Sequence, residues 1–102
     1  MIYLFYGENE FEKRQAIAKL IGNEKAARHD GEDLTLAGTQ EIAIGQTLFM
    51  NSSVYLISKL SENSEIWSQL PDMKFDDDRT IILVEDKIDK RTKTYKWLQK
   101  NA

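Results

Sequence analysis

The sequence predicts an α/β protein, a three-layer αβα arrangement of about four parallel strands with helices on both faces. Three observations carry this. Short apolar runs rich in β-branched and aromatic residues recur at Ile2-Tyr3-Leu4-Phe5-Tyr6, Val54-Tyr55-Leu56-Ile57 and Thr80-Ile81-Ile82-Leu83-Val84. Such runs mark strands covered on both faces. The segments between them carry helix caps and helical spacing. The order β-α-β-α-β-α-β-α then calls for right-handed crossovers and a parallel sheet.

The chain from Ile2 to Ile21 organises the rest. Its strand is expected at the centre of the sheet, and Gly7 supplies a sharp turn after it. Glu8 or Asn9 caps the first helix, and Glu8, Glu10 and Glu12 set negative charge at its positive end. Phe11, Ile17, Ala18, Leu20 and Ile21 fall within about half of the helical wheel and are expected to face the sheet. Gly22-Asn23 stops the helix.

Lys25 to Asp30 reads as a short strand near an edge, followed by a turn at Asp30-Gly31-Glu32-Asp33. Thr35 to Ile44 is a helix with Leu34, Ile42 and Ile44 as apolar contacts, weakened by Gly38 and closed by Gly45. Gln46-Thr47-Leu48-Phe49-Met50 then places three large apolar residues where a turn is expected. Asn51-Ser52-Ser53 separates them from the next strand. Ser61, Asn63 or Ser64 caps a helix whose stripe is Ile66, Trp67 and Leu70, and Pro71 ends it. Asp72 to Asp78 is a loop. Asp89 is expected to cap a last helix from about Lys90 to Lys100, with Tyr95 and Leu98 in the core and Trp97 alongside. The sheet is either complete at four strands or cut short before a fifth.

With 102 residues, of which 41% are hydrophobic, the chain suits one domain with one modest core. It has no cysteine, which excludes disulfides and cysteine metal sites. The single histidine, His29, sits beside Asp30. An HD pair carries metal in some phosphohydrolases, but that site needs further histidines, so no metal is expected here. No run approaches a membrane span and no signal peptide precedes the first strand, so a cytoplasmic location is expected, without membrane contact. The net charge of −3 argues against a nucleic-acid surface. Basic residues nonetheless gather at the end, where Lys87, Lys90, Arg91, Lys93, Lys96 and Lys100 stand against one acid, Asp89. This reads as a solvated face, with DNA contacted only weakly or indirectly.

A strand, a glycine turn and a helix form the place where phosphate-binding proteins hold a nucleotide. The P-loop pattern is G-x-x-x-x-G-K-[ST], and the residues here are Gly7-Glu8-Asn9-Glu10-Phe11-Glu12-Lys13-Arg14. Gly7 and Lys13 keep the spacing. Glu12 replaces the second glycine, Arg14 replaces the magnesium-holding hydroxyl, and three glutamates lie where phosphates would. This is the architecture of a P-loop without its chemistry, and no cofactor is expected. The acidic run Asp76-Asp77-Asp78 does not rescue a magnesium site, because consecutive carboxylates cannot all converge on one ion. The enzyme alternative is a degenerate P-loop nucleotide hydrolase or kinase. A phosphorylatable receiver-like domain is a further alternative, but it needs an aspartate where Ser58 stands.

Three stretches carry a resemblance: YLFYGENEFEKRQAI at the start, QTLF before the third strand, and TIILVEDKIDKRTKTYKWLQK at the end. The run Asp89-Lys90-Arg91-x-Lys93-x-Tyr95-Lys96 after a hydrophobic strand is the most specific. Together they resemble the N-terminal domain of the delta subunit of bacterial DNA polymerase III, a non-ATPase clamp-loader subunit. The resemblance implies an AAA+-like fold with the nucleotide machinery lost, so that Gly7 and Lys13 are vestigial. It also implies a clamp-binding hydrophobic pair, which maps onto Leu48 and Phe49, with Gln46 adding to the match. The implied partners are a sliding clamp and, in a full-length context, other clamp-loader subunits. Two departures stand out. The collar domain is absent, along with the domain's last strand, and the segment between the first helix and second strand is short. By itself residues 1–102 would bind a clamp but not load one.

Overall fold

Among the described residues strands and helices alternate: β1 (Ile2–Tyr6), α1 (Glu10–Ile21), β2 (Ala26–Asp30), α2 (Leu36–Ile44), β3 (Val54–Ser58), α3 (Ser64–Gln69), β4 (Thr80–Glu85) and α4 (Lys93–Asn101). These come from a computed structural model, which describes residues 1–44, 54–76 and 79–102. The four strands pair in parallel in the order β1-β4-β3-β2. This is the α/β sheet that the sequence predicts.

The strand order decides which face each helix covers. The β1-to-β2 connection crosses the sheet in one direction, and the next two connections step back one strand at a time. With right-handed crossovers the first helix must lie on one face and the next two on the other. The packing agrees. On one face Ile17 of α1 meets Val54, Leu56 and Ile82. On the other, Ile42 and Ala43 of α2, Ile66 and Trp67 of α3, and Leu98 of α4 cover Tyr55, Ile57, Ile81 and Leu83. The central strands β3 and β4 are accordingly apolar on both faces, and β3 from Val54 to Ile57 is buried throughout.

Three expectations need correction. β1 is an edge strand, not a central one, and only Ile2 in it is fully buried. An apolar run identifies a strand but does not say how many neighbours it has. On α1, Phe11 is 69% exposed, and Ala18 and Leu20 are also exposed. The buried residues are Lys13 and Ile17. The helix is rotated because Lys13 points inward at the sheet end, which turns Phe11 outward. The last helix begins at Lys93, capped by Thr92 rather than Asp89. Thr92 Oγ1 accepts from Tyr95 N at 3.2 Å, while Asp89 is engaged by the backbone N–H and guanidinium of Arg91.

Other local readings agree. Asn9 caps α1 and accepts from Glu12 N, and Gly22 closes the helix at φ +60. Asn63 caps α3 through Ile66 N, and its Nδ2 donates to the carbonyls of Gly31 and Leu34. It thereby fastens the turn after β2 to the turn after β3. Gly31 is what lets these turns approach. A Cβ there would lie 2.5 Å from Leu60 Cα and 2.8 Å from the Lys59 carbonyl oxygen, both backbone atoms. Gly31→Ala is therefore expected to destabilise the fold by about 1–3 kcal/mol, read as a lower denaturation midpoint in urea at unchanged slope.

Candidate functional site

In an open parallel sheet, ligands bind beyond the carboxyl ends of strands, where neighbouring connections leave toward opposite faces. Here that point lies between β1 and β4. β1 leads into α1 on one face, whereas β4 leads toward α4 on the other. Gly7 sits at the lip with φ +125, a conformation that favours glycine, and its N–H donates to the Glu85 carbonyl at 3.3 Å.

Lys13 fills this crevice. Its ammonium lies 3.0 Å from Glu10 Oε1, 3.1 Å from Asp86 Oδ1 and 3.2 Å from the Glu85 carbonyl oxygen. An ammonium has three hydrogens, and here three acceptors surround it. The Lys13 side chain is 8% exposed, while those of Glu10 and Asp86 are 58% and 55% exposed. Burial by itself lowers the lysine pKa, but the hydrogen bonds to Glu10 and Asp86 outweigh it, and the net shift is upward. The Asp86 carboxyl is held below its ordinary value, first by its hydrogen bond from Lys13. Lys13 is thus a retained cation whose hydrogen bonds are satisfied within the chain.

Beside it, Glu85 is almost wholly buried at the end of β4. Its carboxylate accepts from Leu60 N at 3.0 Å, from Ser61 N at 3.2 Å and from the Ser61 hydroxyl. Those donors belong to the turn after β3, which is bent by Lys59 in the left-handed region at φ 59. Burial raises the Glu85 pKa, and the hydrogen bonds from Ser61 and Leu60 offset this only in part. β3 ends at Ser58 and Lys59 follows, so the strand itself supplies no carboxylate at its carboxyl end.

Of the residues singled out from sequence, Gly7 and Lys13 meet at this crevice. Gln46, Leu48 and Phe49 lie outside the described residues, as do Asp77 and Asp78. His29 stacks on Tyr55 with ring centroids 6.4 Å apart, and Asp30 accepts from Glu32 N. No cluster of three or more histidine or acidic side chains suited to a metal is found among the described residues. Likewise, none of their helices is long and apolar enough to cross a membrane. The sequence reading missed the inward Lys13 and the buried Glu85. A signal for Lys13 existed, since it falls on the same helical arc as Ile17, with Glu10 one turn earlier.

Two stability predictions follow from this geometry. Lys13→Ala is expected to lose about 1–2 kcal/mol, and Lys13→Met, which keeps the apolar stem, less than about 1 kcal/mol, because the charge partners are half exposed. Glu85→Ala strands two backbone N–H groups and is expected to cost about 2–4 kcal/mol. Glu85 also titrates differently in the two states. Its folded pKa lies above the ordinary 4.5, so its contribution is fully present below pH 4.5 and is lost as pH rises through the raised value. The stability advantage over Glu85→Gln should therefore narrow as pH rises from 4.5, measured by urea denaturation across a pH series.

Comparison of the chain with protein-family models, with curated proteins and with solved structures found no match.

Proposed function

We propose that this chain is a non-catalytic protein-binding module of the clamp-loader delta type. It engages a sliding clamp in DNA replication through Leu48 and Phe49, with Gln46 beside them. Other clamp-loader subunits are its partners in a longer context, and DNA is contacted only weakly. The reading draws on the sequence resemblance, and one structural observation supports its non-catalytic part. The hydrogens of Lys13 already have acceptors in Glu10, Asp86 and the Glu85 carbonyl. A phosphate chain would have to displace a carboxylate and then lie against Glu8, Glu10 and Glu12, at a cost in like-charge repulsion.

The proposed contact has a plain physical basis. A large aliphatic and an aromatic side chain can bury apolar area in a partner groove and act as hot spots. Each contributes about 1.5–3 kcal/mol of transfer free energy before the costs of association.

Calorimetry against the cognate sliding clamp tests the proposal. The wild-type chain is expected to bind, and the Leu48→Ala/Phe49→Ala variant to bind at least about tenfold more weakly, with an unchanged melting curve. Equal affinities would remove the site. A parallel titration with ATP and magnesium is expected to show no heat of binding. Binding that is lost in Lys13→Met would instead support a nucleotide hydrolase or kinase.

A further inference from the structure

We propose that the groove beside α1, on the face of the sheet that carries this helix, binds a small carboxylate with an apolar body. The groove follows from the topology. Among the described residues one helix lies on this face and three lie on the other. Four strands about 4.8 Å apart are wider than one helix of about 10 Å. The space left beside α1, over β3, measures about 600 Å³, a size suited to a small molecule. Its floor is apolar, built from Ile17, Ala18, Leu56 and Val84. Ala102 lies beside β1, across the sheet from β2 and away from this groove.

Two guanidinium side chains border the floor, Arg14 from α1 and Arg28 from β2. The register accounts for the second. Arg28 pairs with Leu56, and Ala26, two residues earlier, packs with Ile17 and Val54, so alternation turns Arg28 to the same face. Ser58, two residues after Leu56, adds a hydroxyl on that face. The chain has four arginines. Arg79 donates to the Tyr55 hydroxyl at 2.8 Å, and Arg91 pairs with Asp89 at 3.1 Å. The other two meet at this groove. Both are exposed, and among the described residues neither guanidinium has a hydrogen bond or an ion pair.

Charge at the groove selects the head group. Glu10 stands on the rim, with its carboxylate 3.0 Å from the Lys13 ammonium. Asp30, on the same face as Arg28, accepts from Glu32 N in the turn that follows. Against Glu10, the two arginines leave the lining with a net charge of +1. That suits a monoanion better than a phosphate dianion. A guanidinium matches a carboxylate through paired N–H donors, and an apolar body gains by covering the floor. Nucleic acid is disfavoured, because the chain carries a net −3 and the groove offers no aromatic ring for a base to stack on among the described residues. None of these residues belongs to the proposed clamp contact, and only Glu10 is shared with the Lys13 crevice.

An NMR chemical-shift titration with decanoate, kept below its micelle concentration, tests this site, with decyltrimethylammonium and acetate as controls. Decanoate should shift the amides of Ala18, Leu56, Ser58 and Val84. It should bind at least about tenfold more tightly than either control, since one lacks the charge match and the other the apolar body. Arg14→Gln/Arg28→Gln should weaken decanoate at least about tenfold at an unchanged melting curve, because both side chains are exposed and unpaired. Ala18→Trp, a change at an exposed position, should block binding by filling the groove. Equal binding of decanoate and the cation, indifference to the arginine changes, or shifts confined to other residues would overturn the proposal. So would arginine-dependent cosedimentation with phosphatidylglycerol vesicles, which would assign the pair to a membrane surface.

Discussion

Glu85 is the point on which the carboxyl end of the sheet depends. A carboxylate is rarely buried unless its oxygens are satisfied, and this one accepts from two backbone N–H groups and a hydroxyl in the turn after β3. Its own backbone carbonyl accepts from Gly7 on one side and from Lys13 on the other. One residue thus ties together β1, β4, the first helix and the turn after β3. The left-handed backbone of Lys59 and the close approach of Gly31 to Leu60 belong to the same knot. The first carries steric strain that an isolated turn would relax, and the second leaves no room for a Cβ.

The crevice beside Glu85 has the shape of a phosphate site and the electrostatics of an interior. A strand, a glycine at positive φ and a helix N-terminus converge on a lysine, as in nucleotide-binding loops. That lysine is turned into the protein by two carboxylates and a carbonyl, and its cationic form is favoured by them. The attraction that would hold a ligand is spent within the chain. This is the physical content of the proposed non-catalytic reading.

The two outer strands of the described sheet are unequal. The β2 edge carries charged side chains, whereas β1 is apolar and aromatic, with Lys90 over its last ring. That ring belongs to Tyr6, which ends β1. The half-buried state of Tyr3, Leu4 and Phe5 follows from the same cause: helices cover the two faces of β1, but only one neighbour covers its edges.

What was legible in the sequence was local. Strand and helix order, the caps at Asn9 and Asn63, the stop at Gly22 and the edge position of β2 all follow from side-chain type and spacing within a few residues. So does the departure from P-loop chemistry, because the substitutions at Glu12 and Arg14 are visible in one line of residues. The position of β1 in the sheet was not legible, since an apolar run reads alike at a centre and at an edge. Nor was the rotation of α1, which Lys13 sets by reaching Asp86 and the Glu85 carbonyl, both more than seventy residues away. The cap of α4 was misread because Asp89 and Thr92 are both good caps, and Arg91 engages the first. Sequence alone determined the elements, their order and the departure from the P-loop pattern. Tertiary structure alone decided which of the described strands lie at the sheet's edges and which charges are turned inward, because both depend on contacts between residues far apart in the chain.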